Sequence, residues 1–231
     1  MSADTPTMKK RAGFLGFFEN NLELVIAILL GVVSIVTAYA SFQGALYGGM
    51  QSSEYQKGGS LSTEAESLYL EGNQQFMQDT QVYNRLTELA IDADSSDPII
   101  AADALNKYET LEFQAVSEEF ASAIERATEQ NDADPEFYYS PLDDEQYQDS
   151  LFASYGETKE QAKATVAKGD VANLEGDKLT LYTVLMSISL FLLGIAALMR
   201  KFKVQVVLLA SGLGIFAVSA VLTAAVPYVS L

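Results

Sequence analysis

The residues that could do chemistry in this chain are its acids and hydroxyls. The 231 residues include no His, no Cys and no Trp. That removes Cys and His nucleophiles and bases, Cys/His zinc sites, haem and iron–sulfur ligation, and disulfides. Against 14 Lys and Arg stand 31 Asp and Glu, a formal charge of −17. A nucleic-acid binder needs a basic face, so that class is excluded. Paired carboxylates occur throughout, mostly at surface-like helical spacing. In a chain this acidic they say almost nothing about a glycosidase-type site. Two acidic runs, Asp92-Ala-Asp94-Ser-Ser-Asp97 and Asp132-Ala-Asp134-Pro-Glu136, look superficially like calcium loops. Neither has Gly at the sixth position, and neither completes the EF-hand ligand pattern. A solvated acidic surface of the kind suited to high salt is the simpler account. Gly58-Gly59-Ser60 lacks the Lys-Ser/Thr that would make it a phosphate loop, and no G-x-S-x-G or G-x-G-x-x-G occurs. The expectation is therefore no catalytic residue, no metal and no cofactor.

Hydroxyls form the other constellation. On helical spacing, Ser34, Thr37 and Ser41 share one face, and Thr180, Thr183 and Ser187 share another. Ala210, Gly212, Gly214, Ala220 and Ala224 add small positions nearby in sequence. Small and hydroxyl residues are what membrane helices use to pack. They could also line a pore in an oligomer. With no charge inside the apolar runs to mark an ion path, packing is the favoured reading. A cluster of aromatics, Phe137, Tyr138 and Tyr139, sits between Pro135 and Pro141. It is either an exposed recognition loop or a plug for a helical domain, and the general burial of large aromatics favours the plug.

The elements that must carry these groups follow from the distribution of charge. No charged residue occurs from Leu24 to Leu46, from Leu179 to Met199, or from Val204 to Leu231. Each run reaches the roughly 20 apolar residues needed to cross a bilayer core. Three transmembrane helices are predicted, at 23–45, 179–199 and 204–226. Ala38-Tyr39-Ala40 resembles a signal-peptidase site, but the apolar run is long and continues past it, so an anchor is expected rather than a cleaved leader. Lys9, Lys10 and Arg11 precede the first span, and Arg200, Lys201 and Lys203 lie between the second and third. Both clusters fall on one side of an alternating three-span chain, which makes residues 1–22 and 200–203 cytoplasmic. Residues 46–178 and 227–231 are then outside. Between Gln43 and Lys178 there are 28 acids and 8 bases, a net of −20. Phe14 to Phe18 reads either as an interfacial segment at the cytoplasmic headgroups or as the start of span one.

The external region is helical by pattern, with no strand or hairpin signal. Leu61, Ala65, Leu68, Gly72, Gln75, Asp79, Val82, Leu86 and Leu89 alternate at spacings of three and four. They predict one long helix continuing from span one, with breaks weighed at Gly48-Gly49 or Gly58-Gly59. The polar stretch of this seam, Gly72 to Asp79, is expected to be loose. Asp97-Pro98 caps a second helix to about Glu129, with Leu105, Tyr108, Phe113, Val116, Phe120, Ile124 and Ala127 inward. Ser140-Pro141 starts a third, which is expected to pause at Gly156. A last helix runs from near Thr158 into span two, with Ala162, Gly169 and Gly176 at one heptad position and Thr165, Ala172 and Leu179 at the other. Small residues in such a row permit close helix approach. The fold class expected is all-α, an integral membrane protein with three transmembrane helices and an extracytoplasmic helical hairpin or bundle.

Gln43-Gly-Ala-Leu-Tyr-Gly48, Ser140-Pro141-Leu142 followed by Tyr147, and the run Leu181 to Ile195 leading into a basic turn together resemble a group of uncharacterised prokaryotic three-span membrane proteins. The acidic surface looks haloarchaeal. Positions that bacterial members fill with Trp are not Trp here. The resemblance implies architecture and location and brings no activity or site residues. The expected function is a non-enzymatic oligomeric assembly or receptor-like scaffold, the alternative a homo-oligomeric channel. Expected partners are the lipid bilayer, further copies of the chain and a surface or membrane protein.

Overall fold

A computed structural model describes residues 14–230. Every element is helical: α1 (Phe14–Ala93), α2 (Pro98–Ala115), α3 (Glu118–Ala133), a 3₁₀ turn (Pro141–Asp143), α4 (Glu145–Leu198) and α5 (Phe202–Ala225). Three of these, α1, α4 and α5, are long and apolar enough to cross a membrane. The basic triplet at residues 9–11 lies outside the described residues, and Phe14 to Phe18 belong to α1. The chain divides into two compact units. One takes the described residues up to Glu54 and from Ala167 onward and is called the apolar unit. The other, Tyr55–Val166, is called the acidic unit.

In the apolar unit, burial repeats every seven residues. Ile26, Val33, Ala40 and Tyr47 are buried on α1, as are Ala172, Leu179, Met186 and Leu193 on α4. This repeat is shorter than two turns of a straight helix, so it favours a left-handed supercoil. Helices come close at Gly176, where an added Cβ would lie 3.4 Å from the Tyr47 Cβ and 3.8 Å from the Gly44 carbonyl oxygen. Polar groups inside this unit need partners, because lipid offers none. Ser189 Oγ donates to the Gly212 carbonyl at 2.7 Å, tying α4 to α5. Pro227 cannot continue α5, and the segment after it folds against α1. There the Gln43 amide accepts from the Val229 N–H at 3.1 Å and donates to the Val229 carbonyl at 3.3 Å. The Tyr47 hydroxyl donates to the Pro227 carbonyl at 2.8 Å.

In the acidic unit the predicted seam is the buried stripe of α1. Gly58, Ala65, Gly72, Asp79 and Leu86 are buried at seven-residue intervals, with Leu61, Leu68, Gln75, Val82 and Leu89 shielded between them. Several sequence expectations need correction. No break occurs at Gly48-Gly49 or Gly58-Gly59, and α4 does not pause at Gly156. Gly58 is there for close packing: an added Cβ would lie 2.6 Å from Val166 Cγ2. The single helix expected from Pro98 to Glu129 is two. Val116 is extended, and Ser117 caps α3 by accepting from the Phe120 N–H at 3.2 Å. Glu118 and Glu119 in the first turn of α3 favour a new helix start there. The break turns α2, so Leu105 and Phe113 point outward, Phe113 with 88% of its surface exposed. Phe120 and Ala127 are buried as their spacing predicts. Surface ion pairs such as Arg85–Glu88 and Lys163–Glu160 join exposed side chains and contribute little.

Candidate functional site

None of the hydroxyl residues singled out in the apolar helices is fully buried. Ser34, Ser41, Thr180 and Ser187 are exposed, and Thr37 and Thr183 are half-buried. Ser34, Thr37, Thr180 and Ser187 each donate to the carbonyl four residues back in their own helix, and Thr183 to the one three back. Their hydroxyl hydrogens are thus committed locally. Among the small residues, Ala162 and Gly169 are buried, and Gly176 meets Tyr47. Gly212 abuts α4, with an added Cβ 3.2 Å from Leu193 Cγ and 3.3 Å from the Ser189 carbonyl oxygen. Gly214 faces open space.

The densest chemistry is in the acidic unit. Its core gathers Phe120, Ala123 and Tyr147, with Phe76, Tyr83, Val116 and Leu151 against them. The Phe120 ring lies 5.0 Å from that of Tyr147 and edge-on to that of Tyr83 at 5.9 Å. Asp79, with no surface exposed, sits inside this cluster on the α1 seam. The Tyr147 hydroxyl donates to Asp79 Oδ2 at 2.7 Å, and Gln75 Nε2 donates to Oδ1 at 3.1 Å. Burial, then the bond to Asp79 and its charge, push the Tyr147 phenol well above the usual tyrosine range, so it stays a donor. The seam between Gly72 and Asp79 is therefore filled, not loose: Phe152 and Leu151 come up against Gly72, and Tyr147 meets the carboxyl.

Next to this core lies an open groove of about 490 Å³, a size that admits a small molecule. Its wall is the loop that carries Phe137, Tyr138 and Tyr139. Phe137 and Tyr138 are 62% and 65% exposed, which corrects the expectation of a buried plug. The loop is pinned from behind. The Asn131 amide accepts from the Tyr139 N–H at 2.8 Å and donates to the Tyr139 carbonyl at 2.9 Å. The Tyr138 and Tyr83 hydroxyls share a hydrogen bond at 2.8 Å, and burial, with that bond, raises Tyr83 well above its ordinary range. At the groove floor Arg126 makes a two-pronged pair with Asp144, Nε to Oδ2 at 2.9 Å and Nη2 to Oδ1 at 2.5 Å. The Tyr147 N–H at the start of α4 also donates to Asp144, at 2.8 Å.

Compared with known proteins, the chain matches no family model, no curated protein and no solved structure.

The Arg126 guanidinium, through its hydrogen bonds, holds the Asp144 carboxyl below the usual carboxylate range, against the opposing effect of partial burial. A depressed folded-state value means that the pair stabilises at pH above the unfolded aspartate value. That contribution is lost as pH falls through the lower, folded value. With side-chain exposures of 30% and 13%, the pair is sheltered enough to matter. Arg126→Met is expected to lower stability at pH 7, because it leaves the sheltered Asp144 carboxylate without its charged partner. The gap from wild type should close as acid protonates Asp144. Thermal melts of the solubilised protein across pH check this, and a gap that persists unchanged into strong acid would refute it.

The acidic runs do other work. Asp97 caps α2 by accepting from the Ile99 N–H at 2.9 Å, and Asp134 Oδ1 accepts from the Glu136 N–H at 3.3 Å. Among the described residues no three acids converge as a metal site. Sequence reasoning missed Gln43, Asn131 and Ser189 as structural anchors. The readable signal was strongest at Gln43, an amide inside an apolar run and one helical turn from Tyr47.

Proposed function

We propose that this chain is a non-enzymatic, multi-pass membrane scaffold that self-associates and presents the acidic unit outside the cytoplasm as a recognition module, in the layout of the three-span family it resembles. The observation that carries this reading is the aromatic groove. A pinned loop holds two large rings, Phe137 and Tyr138, in solvent beside a core in which Phe120 and Tyr147 are packed. Rings held rigid and exposed are what recognition surfaces use, because little side-chain entropy remains to be lost on contact. Three apolar helices supply the anchor. Arg200 and Lys201 between α4 and α5, with Lys203 in the first turn of α5, support a cytoplasmic turn and hence residues 46–178 outside. Open faces at Gly31, Gly194 and Gly214 in the apolar helices support association with further copies.

Two measurements test this. Native mass in a non-ionic detergent should exceed the 25.1 kDa of one chain, and a protomer mass alone would sink the assembly. A single Cys at Asp149 should react with an impermeant maleimide on intact cells while one at Lys201 should not, and the opposite pattern would reverse the orientation. A reproducible unitary conductance in planar bilayers would establish the channel reading in place of the scaffold.

A further inference from the structure

We infer that the groove beside Arg126 is a binding site for a small organic cation carrying a quaternary ammonium group. The inference rests on the reading of the acidic unit as a recognition module and names the chemistry it would recognise.

The geometry begins with the rings. Phe137 and Tyr139 both line the groove, with centroids 4.9 Å apart and planes inclined at 61°. At that distance and angle the rings touch edge to face instead of stacking flat, so the pair does not cover all of its own ring faces. An uncovered ring face attracts a compact, rounded cation through the ring quadrupole. Tyr138, next in the wall, is fixed by its bond to Tyr83 and extends the aromatic surface. The Tyr139 hydroxyl points to Asp134 Oδ2 at 3.5 Å, so a further carboxylate lies beyond that ring.

Charge sets the sign of the ligand. Arg126 is the one cation in the lining, and Asp144 neutralises it by the two-pronged pair. Asp143 and Glu145 also line the groove, so one positive and three negative groups leave it two charges negative. An anion is repelled by that balance. A bare metal ion is a poor fit, because among the described residues no three acids converge and the Asp144 carboxylate is already taken by Arg126. A trimethylammonium group suits both parts of the site: its methyls cover apolar rings, and its charge is spread and weakly hydrated. The pinned loop keeps the rings in place before the ligand arrives, which lowers the entropy lost on binding.

The test uses the full chain in a maltoside detergent, titrated with choline and followed by tyrosine ring NMR shifts. Saturable binding in the millimolar range is expected. The neutral isostere 3,3-dimethylbutan-1-ol should bind at least about tenfold more weakly, because it keeps the shape and loses the charge. Phe137→Ala should weaken choline about three- to tenfold. Asp143→Asn with Glu145→Gln leaves every ring in place and should weaken it by a similar factor while flattening its salt dependence. A phosphocholine arm separates sources. Choline the tighter of the two identifies a free cation; phosphocholine equal or tighter identifies a lipid headgroup, and either result supports the site. No saturation by about 100 mM choline, equal binding of the neutral alcohol, or unchanged binding in both variants would overturn it. Self-association is measured separately by native mass, so an oligomer that ignores choline loses this inference and keeps the assembly.

Discussion

Tyr147→Phe is expected to destabilise the acidic unit by about 2–3 kcal/mol, although it deletes one oxygen atom. The deleted group donates at 2.7 Å to a carboxyl with no exposed surface, and what remains is a buried acceptor with Gln75 as its other partner. Hydrogen bonds to charged groups are worth about 1.5–3 kcal/mol, and the cost of stranding one partner dominates over the value of the bond itself. The same asymmetry predicts a rescue. Asp79→Leu alone strands the Tyr147 hydroxyl in an aromatic core. The double variant Tyr147→Phe with Asp79→Leu strands nothing and should lose less than the sum of its parts. The coupling expected in the cycle is about 1–3 kcal/mol. Hydrogen exchange of the α3 and Tyr147–Leu151 amides reads it locally. Strict additivity, or a loss under about 0.5 kcal/mol for Tyr147→Phe, would mean that the pair is not part of the core.

What the sequence made legible, and what it hid, divides along a physical line. Hydropathy and heptad spacing are properties of one helix, and they placed α1, α4 and α5 and the stripe from Leu61 to Leu89 well. Breaks depend on competition between neighbours. Glycine in a helix reads as weakness when only propensity is considered. At Gly58 and Gly72 the missing side chain is instead what lets another helix approach. The interruption fell at Val116-Ser117, where a serine cap outweighed an otherwise continuous apolar pattern. That shift exposed Phe113 and Leu105, both assigned inward by periodicity alone. The polar residues Asp79 and Gln75 looked like a soft spot, because the partner that completes them, Tyr147, is 68 residues away along the chain. The aromatic loop was harder still. Its exposure depends on the Asn131 clamp, and an Asn eight residues before a tyrosine carries no recognisable signal.

The glycines therefore offer the sharpest check on how these helices meet, because three of them should respond to the same substitution with different signs. At Gly72 an added Cβ would lie 2.7 Å from the Leu151 carbonyl oxygen and 2.9 Å from Phe152 Cε1. The first contact is with backbone, so relief requires α4 itself to move. Overpacking of this kind costs about 1–3 kcal/mol, which exceeds the roughly 1 kcal/mol that Ala gains over Gly in a helix. Gly72→Ala is thus expected to lower the thermal midpoint, and Gly72→Leu to lower it far more. At Gly58 the nearest atom is Val166 Cγ2 at 2.6 Å, with the Val166 nitrogen at 3.3 Å. A side chain gives way more readily than backbone, so Gly58→Ala should fall between loss and no change. Gly156 lies within α4 with nothing inside 4 Å of an added Cβ. There only the propensity gain operates, and Gly156→Ala should raise the midpoint by an amount corresponding to up to about 1 kcal/mol. The expected order of stability is Gly156→Ala above wild type, then Gly58→Ala, then Gly72→Ala. A stabilising Gly72→Ala would place the α1 seam on the wrong face and remove the packing on which Asp79 and Tyr147 depend.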